Sequence, residues 1–277
     1  MSAVGTDAGP APAPPATSSP PGGAWRAFLA ILGRDLFVTG RELPVFLAQV
    51  VLQPFFFVLV FGRILTSLGF AQNRYADILL PGMIALTVVL TALQSTALPL
   101  VIEFSFTKEI EDRLLAPLST GLVAMEKVVF SALRGLLAGV VMFPIGWLVL
   151  GGLHFDVQPL ELVAFMVGGA LAGACMGMIV GTVVPPNRIS VAFALILTPL
   201  LFTGASQYPW PSLDRLPWFQ VVTLFNPLTY VSEGLRAALI PGVVPHMRVW
   251  VAGPVLAAAT VLLAAAGVRG FRRRAVD

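Results

Sequence analysis

The chain has 277 residues, of which 57% are hydrophobic and only 11% are charged, and its mean hydropathy is +0.88. Soluble domains carry about 25% charged residues, so this composition excludes a soluble globular protein. The net charge of +3 is too small to indicate a partner nucleic acid. A single cysteine excludes an intrachain disulfide, and two histidines 92 positions apart argue against a local zinc site.

The N-terminal part of the chain changes character at residue 24. Residues 1–23 are rich in Pro, Ala, Ser, Thr and Gly and lack a basic residue followed by an apolar run, which predicts a disordered cytoplasmic tail rather than a signal peptide. In residues 24–43 the apolar positions recur every three or four residues, with Arg, Asp and Glu on other faces. This pattern predicts an amphipathic helix in the membrane interface, the alternative being a cytosolic helix docked on a partner.

Six apolar segments follow within residues 44–274, and each is long enough to cross a hydrocarbon core of about 30 Å. In chain order, spans 1 to 6 are predicted at Val45–Gly62, Ile78–Ile102, Val128–Leu150, Leu162–Val184, Ile189–Ser206 and Val249–Val268. The sequence therefore predicts an all-α membrane protein with one six-span domain.

The distribution of basic residues predicts the orientation of these spans. Twelve of the seventeen Lys and Arg residues fall on the side that holds the N-terminus, the 2–3 and 4–5 connections and the C-terminus. Because basic residues favour the cytoplasmic side, both termini are expected in the cytoplasm.

Several small or polar residues lie inside the predicted spans. Span 4 has a glycine every four residues, which predicts a groove for close helix packing or, alternatively, a face that slides during transport: Gly169, Gly173, Gly177 and Gly181. Gln49 and Gln53 in span 1 either line a polar path or bond a neighbouring helix. Arg134 in span 3 is within reach of the cytoplasmic interface by snorkelling.

No motif for catalysis or nucleotide binding is recognisable. Neither lysine is preceded by glycine, so the chain lacks the Gly-Lys-Ser/Thr of a P-loop. We therefore expect that it is not an enzyme, that it binds no cofactor or metal, and that any ATP and Mg²⁺ are bound by a partner ATPase subunit. No carboxylate lies in the middle of a span, which disfavours an ion-coupled carrier.

The connection between spans 2 and 3 is a dense mixed-charge segment. Glu109 and Arg113 stand at i, i+4, which supports a short helix. An apolar stripe makes this helix amphipathic, formed by Phe106, Ile110, Leu114 and Leu118. Such a helix is suited to docking on a soluble protein, although a solvated loop helix has the same pattern. The candidate docking residues are Glu103, Lys108, Glu109, Glu111, Asp112 and Arg113.

The connection between spans 5 and 6, residues 207–248, is rich in aromatic residues, which favour the membrane interface. Pro211 and Pro217 are predicted to bracket one short helix, and Asn226-Pro227 to begin a second over Leu228–Ile240. Both are expected to dip into the membrane from the outer side as re-entrant helices. Within the second, Glu233 and Arg236 are spaced to pair.

Three segments resemble the ABC-2 type exporter permeases. Residues 225–236, Phe-Asn-Pro-Leu-Thr-Tyr-Val-Ser-Glu-Gly-Leu-Arg, are similar to the family's Asn-Pro…aromatic…Glu-x-x-Arg stretch before the last span. Leu80-Pro81-Gly82 is similar to its Pro-Gly at the start of span 2, and residues 108–119 to its charged segment ending in Pro-x-Ser. The resemblance covers residues 24–274, with Glu111-Asp112 replacing a common Gly-Thr.

The resemblance implies a half-transporter in the bacterial plasma (inner) membrane. Two permease subunits, identical or different, would work in the lipid bilayer with two cytoplasmic ATP-binding subunits and export drugs, lipids or lipid-linked glycans. It also implies an outer gate, formed by Asn226, Pro227, Tyr230, Glu233 and Arg236. The alternatives are an ion-coupled secondary transporter that works without an ATPase and a membrane enzyme without a transport path.

Overall fold

The computed structural model describes residues 23–70, 75–104, 120–151 and 156–276. Across these ranges the chain is helical apart from turns and short connections, and no strand occurs among them. The predicted all-α class is confirmed. The predicted N-terminal tail, except for its last residue, and the predicted docking helix of the 2–3 connection lie outside the described residues.

Six helices in the described ranges have the length and apolar composition to cross a membrane, as predicted. Their bounds are Leu43–Ser67, Tyr75–Ile102, Thr120–Leu150, Pro159–Val183, Pro186–Thr203 and Val249–Arg274 (spans 1 to 6). We call the end of the bundle that holds Arg41, Ile102, Thr120 and Val183 the basic end, and the other the opposite end.

Span 3 begins eight residues earlier than the apolar pattern predicts, at Thr120 instead of Val128. The prediction placed Glu126 and Lys127 outside the span because they are charged. Both side chains are buried, and Lys127 Nζ donates to Glu103 Oε1 at the end of span 2. The ion pair allows the helix to continue through a position where an unpaired charge would be costly.

Span 1 changes its helical type halfway. Leu43–Phe57 is α-helical with Pro54 inside it, Val58–Ile64 is π-helical, and Leu65–Ser67 completes the helix. A proline in a helix interior removes one backbone hydrogen bond, and π-helical turns are local insertions into an α-helix. Span 1 ends at Ser67, five residues beyond its predicted end at Gly62.

Span 2 is the centre of the bundle. It packs against spans 1, 3 and 4 and is the most buried of the six, whereas spans 1, 5 and 6 are the least buried. Large apolar side chains of span 5, such as Val191, Leu195 and Phe202, point away from the bundle. A protein in water could not expose this surface, which is the surface a membrane would cover.

The connection between spans 5 and 6 contains three short helices, where two were predicted. Trp210–Leu213 is a 3₁₀-helix, and Pro217 begins the additional helix Pro217–Thr223 instead of ending the preceding one. Proline is well suited to a first helical position because its missing N–H would have no partner there. The third, Pro227–Leu239, is called the loop helix, and every residue from Leu228 onward in it is buried.

At the basic end, a second hydrophobic core joins the two terminal helices to the bundle. Phe271 of the C-terminal helix packs with residues of spans 2, 3 and 4, and Ala27 and Ile31 of the N-terminal helix (Gly23–Arg41) join them. Phe28 is buried, while Leu29, Leu36 and Phe37 remain exposed. The N-terminal helix thus has one face on the bundle, and its place in the membrane interface stays a prediction.

Candidate functional site

A buried ion pair organises the opposite end. Arg236 Nη1 lies 2.7 Å from Glu233 Oε1, and both side chains are completely buried, which confirms the predicted pairing. The two carboxylate oxygens of Glu233 also accept backbone N–H groups, Oε1 from Trp210 at 2.9 Å and Oε2 from Met247 at 2.8 Å. One carboxylate therefore holds both ends of the connection around the loop helix.

Arg236 extends this network to span 2. Its Nε donates to the carbonyl oxygen of Ile78 at 3.3 Å, and its Nη2 donates to that of Ser206 at 3.0 Å. Burial holds the pKa of Arg236 below its ordinary value, against the opposing effect of the Glu233 carboxylate. The guanidinium links the start of span 2, the end of span 5 and the loop helix.

Asn226 begins the loop helix and fixes it to span 5. Its Oδ1 accepts from Leu228 N at 2.9 Å as an N-cap, and its Nδ2 donates to Leu200 O at 2.9 Å and Thr203 Oγ1 at 3.0 Å. Pro227 occupies the first helical position. Of the predicted outer gate, Asn226 therefore caps the loop helix, and the other four residues lie on it, including Tyr230, whose hydroxyl donates to Leu224 O.

The glycine face of span 4 lies against the centre of the bundle. A Cβ atom built on Gly173 would collide with Val89 O, and one on Gly177 with Leu93 O, both backbone atoms of span 2. Gly181 faces Leu100 of the same span, and Gly169 faces Val231 of the loop helix. The absence of side chains at these positions lets two helix backbones approach closely.

Of the predicted docking residues, Glu103 alone lies within the described ranges. Its carboxylate is buried against Lys127 and is not presented on the surface. The other five lie outside those ranges: Lys108, Glu109, Glu111, Asp112 and Arg113.

Phe104 is the last described residue before residues 105–119, which we call the docking segment, and it is held by the C-terminal helix. The Phe104 ring lies 5.4 Å from that of Phe271, and the Arg274 guanidinium stands 5.1 Å from the Phe104 ring centroid. Arg274 Nη1 also donates to Gly181 O at 3.2 Å and Thr182 O at 3.0 Å, where the C-terminal end of span 4 presents free carbonyl groups. The start of the docking segment is thereby connected to spans 4 and 6.

The sequence prediction missed a polar cavity of about 580 Å³ at the basic end. It lies between the N-terminal helix and spans 1, 2 and 3, and Gln49, Glu103, Lys127 and Arg134 are among its lining residues. The available signals were Gln49 and Arg134, two polar residues in apolar spans. In residues 23–70, 75–104, 120–151 and 156–276, no cluster of three His, Cys, Asp or Glu could hold a metal ion.

Six apolar helices, with span 2 at the centre and buried polar networks at both ends, define a multi-pass membrane protein. The model of the ABC-2 type transporter family matches residues 26–240 of the chain, and the chain belongs to that family. It is therefore a transport permease subunit.

Named relatives agree with this assignment. The chain is 28% identical over 220 residues to the inner membrane transport permease YadH of Escherichia coli (strain K12), covering 76% of this chain and 82% of the relative. It is 27% identical over 227 residues to a putative transport permease, ycf38, of Cyanophora paradoxa, covering 75% and 72% of the two chains. The ycf38 protein of Porphyra purpurea is 26% identical over 215 residues, covering 74% and 71%.

Proposed function

We propose that this chain is the membrane subunit of an ATP-driven exporter that moves a hydrophobic or amphipathic substrate out of the cytoplasm or the inner leaflet. It works in the bacterial inner membrane with a second permease subunit and cytoplasmic ATP-binding subunits. Membership of the ABC-2 family supports this proposal, as does the absence of a P-loop from the sequence. The excess of basic residues at the basic end supports cytoplasmic termini.

The observation that carries the proposal is the position of span 2. It lies between the Glu103–Lys127 pair at the basic end and the Glu233–Arg236 network at the opposite end. Its 28 residues correspond to about 42 Å of helix. At the basic end it runs into Glu103 and Phe104, directly before the predicted docking segment, and at the opposite end its Ile78 carbonyl accepts from Arg236. One helix thus connects the segment proposed to meet the ATPase with the helix proposed as the outer gate.

This connection supports a rigid-body mechanism. Closure of the ATP-binding subunits displaces residues 105–119, and the Glu103–Lys127 pair passes the displacement to spans 2 and 3 together. The glycine face keeps span 4 in register with span 2, so the three helices move as one body. The Arg236 network then carries the motion to the loop helix. The weakly buried spans 1, 5 and 6 offer apolar surface for lipid and for the second permease subunit.

The docking role is tested with charge changes in the predicted docking segment. Arg113→Ala, or Glu109→Lys combined with Glu111→Lys, is expected to weaken attachment of the ATPase and lower transport per ATP hydrolysed about tenfold, because charge-assisted contacts are lost. Transport and ATP hydrolysis are measured in vesicles that contain both subunits. Arg215→Ala, which removes an exposed charge from the 5–6 connection, is the matched control. Unchanged coupling in the docking variants would count against the proposal.

A further inference from the structure

The polar cavity at the basic end has a charged lining of balanced sign. Three cationic and three acidic side chains line it: Arg34, Lys127, Arg134, Asp35, Glu42 and Glu103. A smaller cavity of about 170 Å³ shares Arg134 and Gln49 with it and reaches Gln94 and Ser95 in span 2. The two form a polar groove that starts at the basic end and runs along span 2 towards the middle of the membrane.

Two of the lining groups keep unsatisfied hydrogen-bonding atoms. The Oε2 atom of Glu103 has no hydrogen-bond partner among the described residues, although the side chain is only 10% exposed and its Oε1 is bonded to Lys127. The Nε atom of Arg134 likewise has no partner in the described part of the chain. The Arg134 guanidinium lies over the face of the Phe46 ring, 4.1 Å from its centroid. A buried acceptor and a buried donor without described partners thus belong to two residues that line the same cavity.

We propose that this cavity binds the headgroup of a phospholipid that carries both a phosphate and a primary ammonium group. Arg134 would hold the phosphate, because a guanidinium donates several hydrogen bonds to phosphate oxygens. Glu103 and Glu42 would accept from the ammonium group. A purely anionic headgroup would meet three carboxylates in the lining and gain less, and a quaternary ammonium has no N–H to donate.

The surroundings of the cavity favour a lipid over a soluble phosphate ester. Arg134 lies seven residues beyond Lys127 in span 3, which corresponds to about 10 Å of helix towards the centre of the membrane. Val38 and Val45, which line the larger cavity, and Leu98, which lines the smaller one, are exposed apolar side chains. Acyl chains that leave the groove would cover these side chains, whereas a free headgroup would leave them uncovered.

A lipid bound here would connect the N-terminal helix to the bundle. Arg34 belongs to that helix, Arg134 belongs to span 3, and Glu103 directly follows the end of span 2, so one headgroup would be shared among three elements. The site lies within one subunit and is independent of ATP hydrolysis. Its failure would therefore leave the proposed exporter function untouched.

The test compares three headgroups on the purified full-length chain in detergent. Native mass spectrometry measures binding of short-chain phosphatidylethanolamine, phosphatidylglycerol and phosphatidylcholine. We expect phosphatidylethanolamine to bind at least about tenfold more tightly than the other two, the size of one charge-assisted hydrogen bond. Equal binding of the three lipids would overturn the proposal, and so would equally tight binding of glycerophosphoethanolamine, which lacks acyl chains.

Variants of two cavity residues, with one matched control, test whether a preference for phosphatidylethanolamine arises in this cavity. Arg134→Gln is expected to weaken binding of phosphatidylethanolamine about tenfold. Glu103→Gln should abolish the preference for phosphatidylethanolamine over phosphatidylglycerol. Arg188→Gln removes an exposed charge from the turn between spans 4 and 5, and it should change neither the binding of phosphatidylethanolamine nor this preference. An equal loss in Arg134→Gln and Arg188→Gln would overturn the proposal. Should either cavity variant fail to fold, the comparison of headgroups on the unmodified chain decides by itself.

Discussion

Replacing Arg236 by methionine is expected to lower the free energy of unfolding by about 3–5 kcal/mol, because it leaves the fully buried Glu233 carboxylate without its countercharge. The substitution also removes the donors to the carbonyl groups of Ile78 and Ser206. Chemical unfolding of the purified chain in detergent, followed by loss of helical circular dichroism, measures the change.

Two further variants isolate the charge effect. The double variant with Glu233→Gln and Arg236→Met should recover part of the loss, since neither partner then leaves a buried charge. Arg248→Met, on the same connection but exposed, should stay within about 0.5 kcal/mol of the unmodified chain. Equal stability of Arg236→Met and Arg248→Met would show that the buried pair does not hold the loop helix.

Introducing a side chain at Gly173 is expected to have the second large effect. Gly173→Leu should cost about 3 kcal/mol, because its Cβ would collide with the backbone carbonyl of Val89 and force spans 2 and 4 apart. The same unfolding measurement applies. If spans 2, 3 and 4 move as one body during transport, Gly173→Leu should also lower transport per ATP hydrolysed in vesicles that contain the ATPase.

Gly253 provides the matched control for this substitution. It lies in span 6, and a Cβ atom built there meets no atom within 4 Å. Gly253→Leu should therefore change the free energy of unfolding by less than about 1 kcal/mol, the range of the helix propensity difference. A comparable loss in both variants would mean that close approach of spans 2 and 4 is not what Gly173 provides.

The sequence predicts the parts of this fold that depend on composition and local spacing. Apolar runs of about 20 residues define the spans whatever their neighbours are, and so all six are found. The i, i+3 spacing of Glu233 and Arg236 is also local, because the helix itself brings the two side chains together. The four-residue spacing of the span 4 glycines indicates a close-packed face, but not that span 2 lies against most of it.

The remaining features depend on residues that are far apart in the chain. Lys127 and Glu103 are 24 positions apart, and without their contact the sequence places the start of span 3 after the charged residues. The polar cavity needs the N-terminal helix and three spans at once, so neither Gln49 nor Arg134 reveals it alone. The additional helix at Pro217 was missed because a proline is equally suited to ending one helix and beginning the next.

The central claim is that ATP hydrolysis by a partner subunit drives transport through this chain. Crosslinking of the docking segment tests this claim most directly. A photo-crosslinking amino acid is placed at position 109 in one variant and at position 215 in another, and both are crosslinked in native membranes. Peptide mass spectrometry identifies the crosslinked proteins. Vanadate-sensitive ATP hydrolysis is then measured on the purified complex. We predict crosslinks from position 109 alone to a P-loop ATPase, together with ATP hydrolysis. Substrate transport by the purified chain in liposomes driven by an ion gradient, with no crosslinked ATPase, would contradict the account.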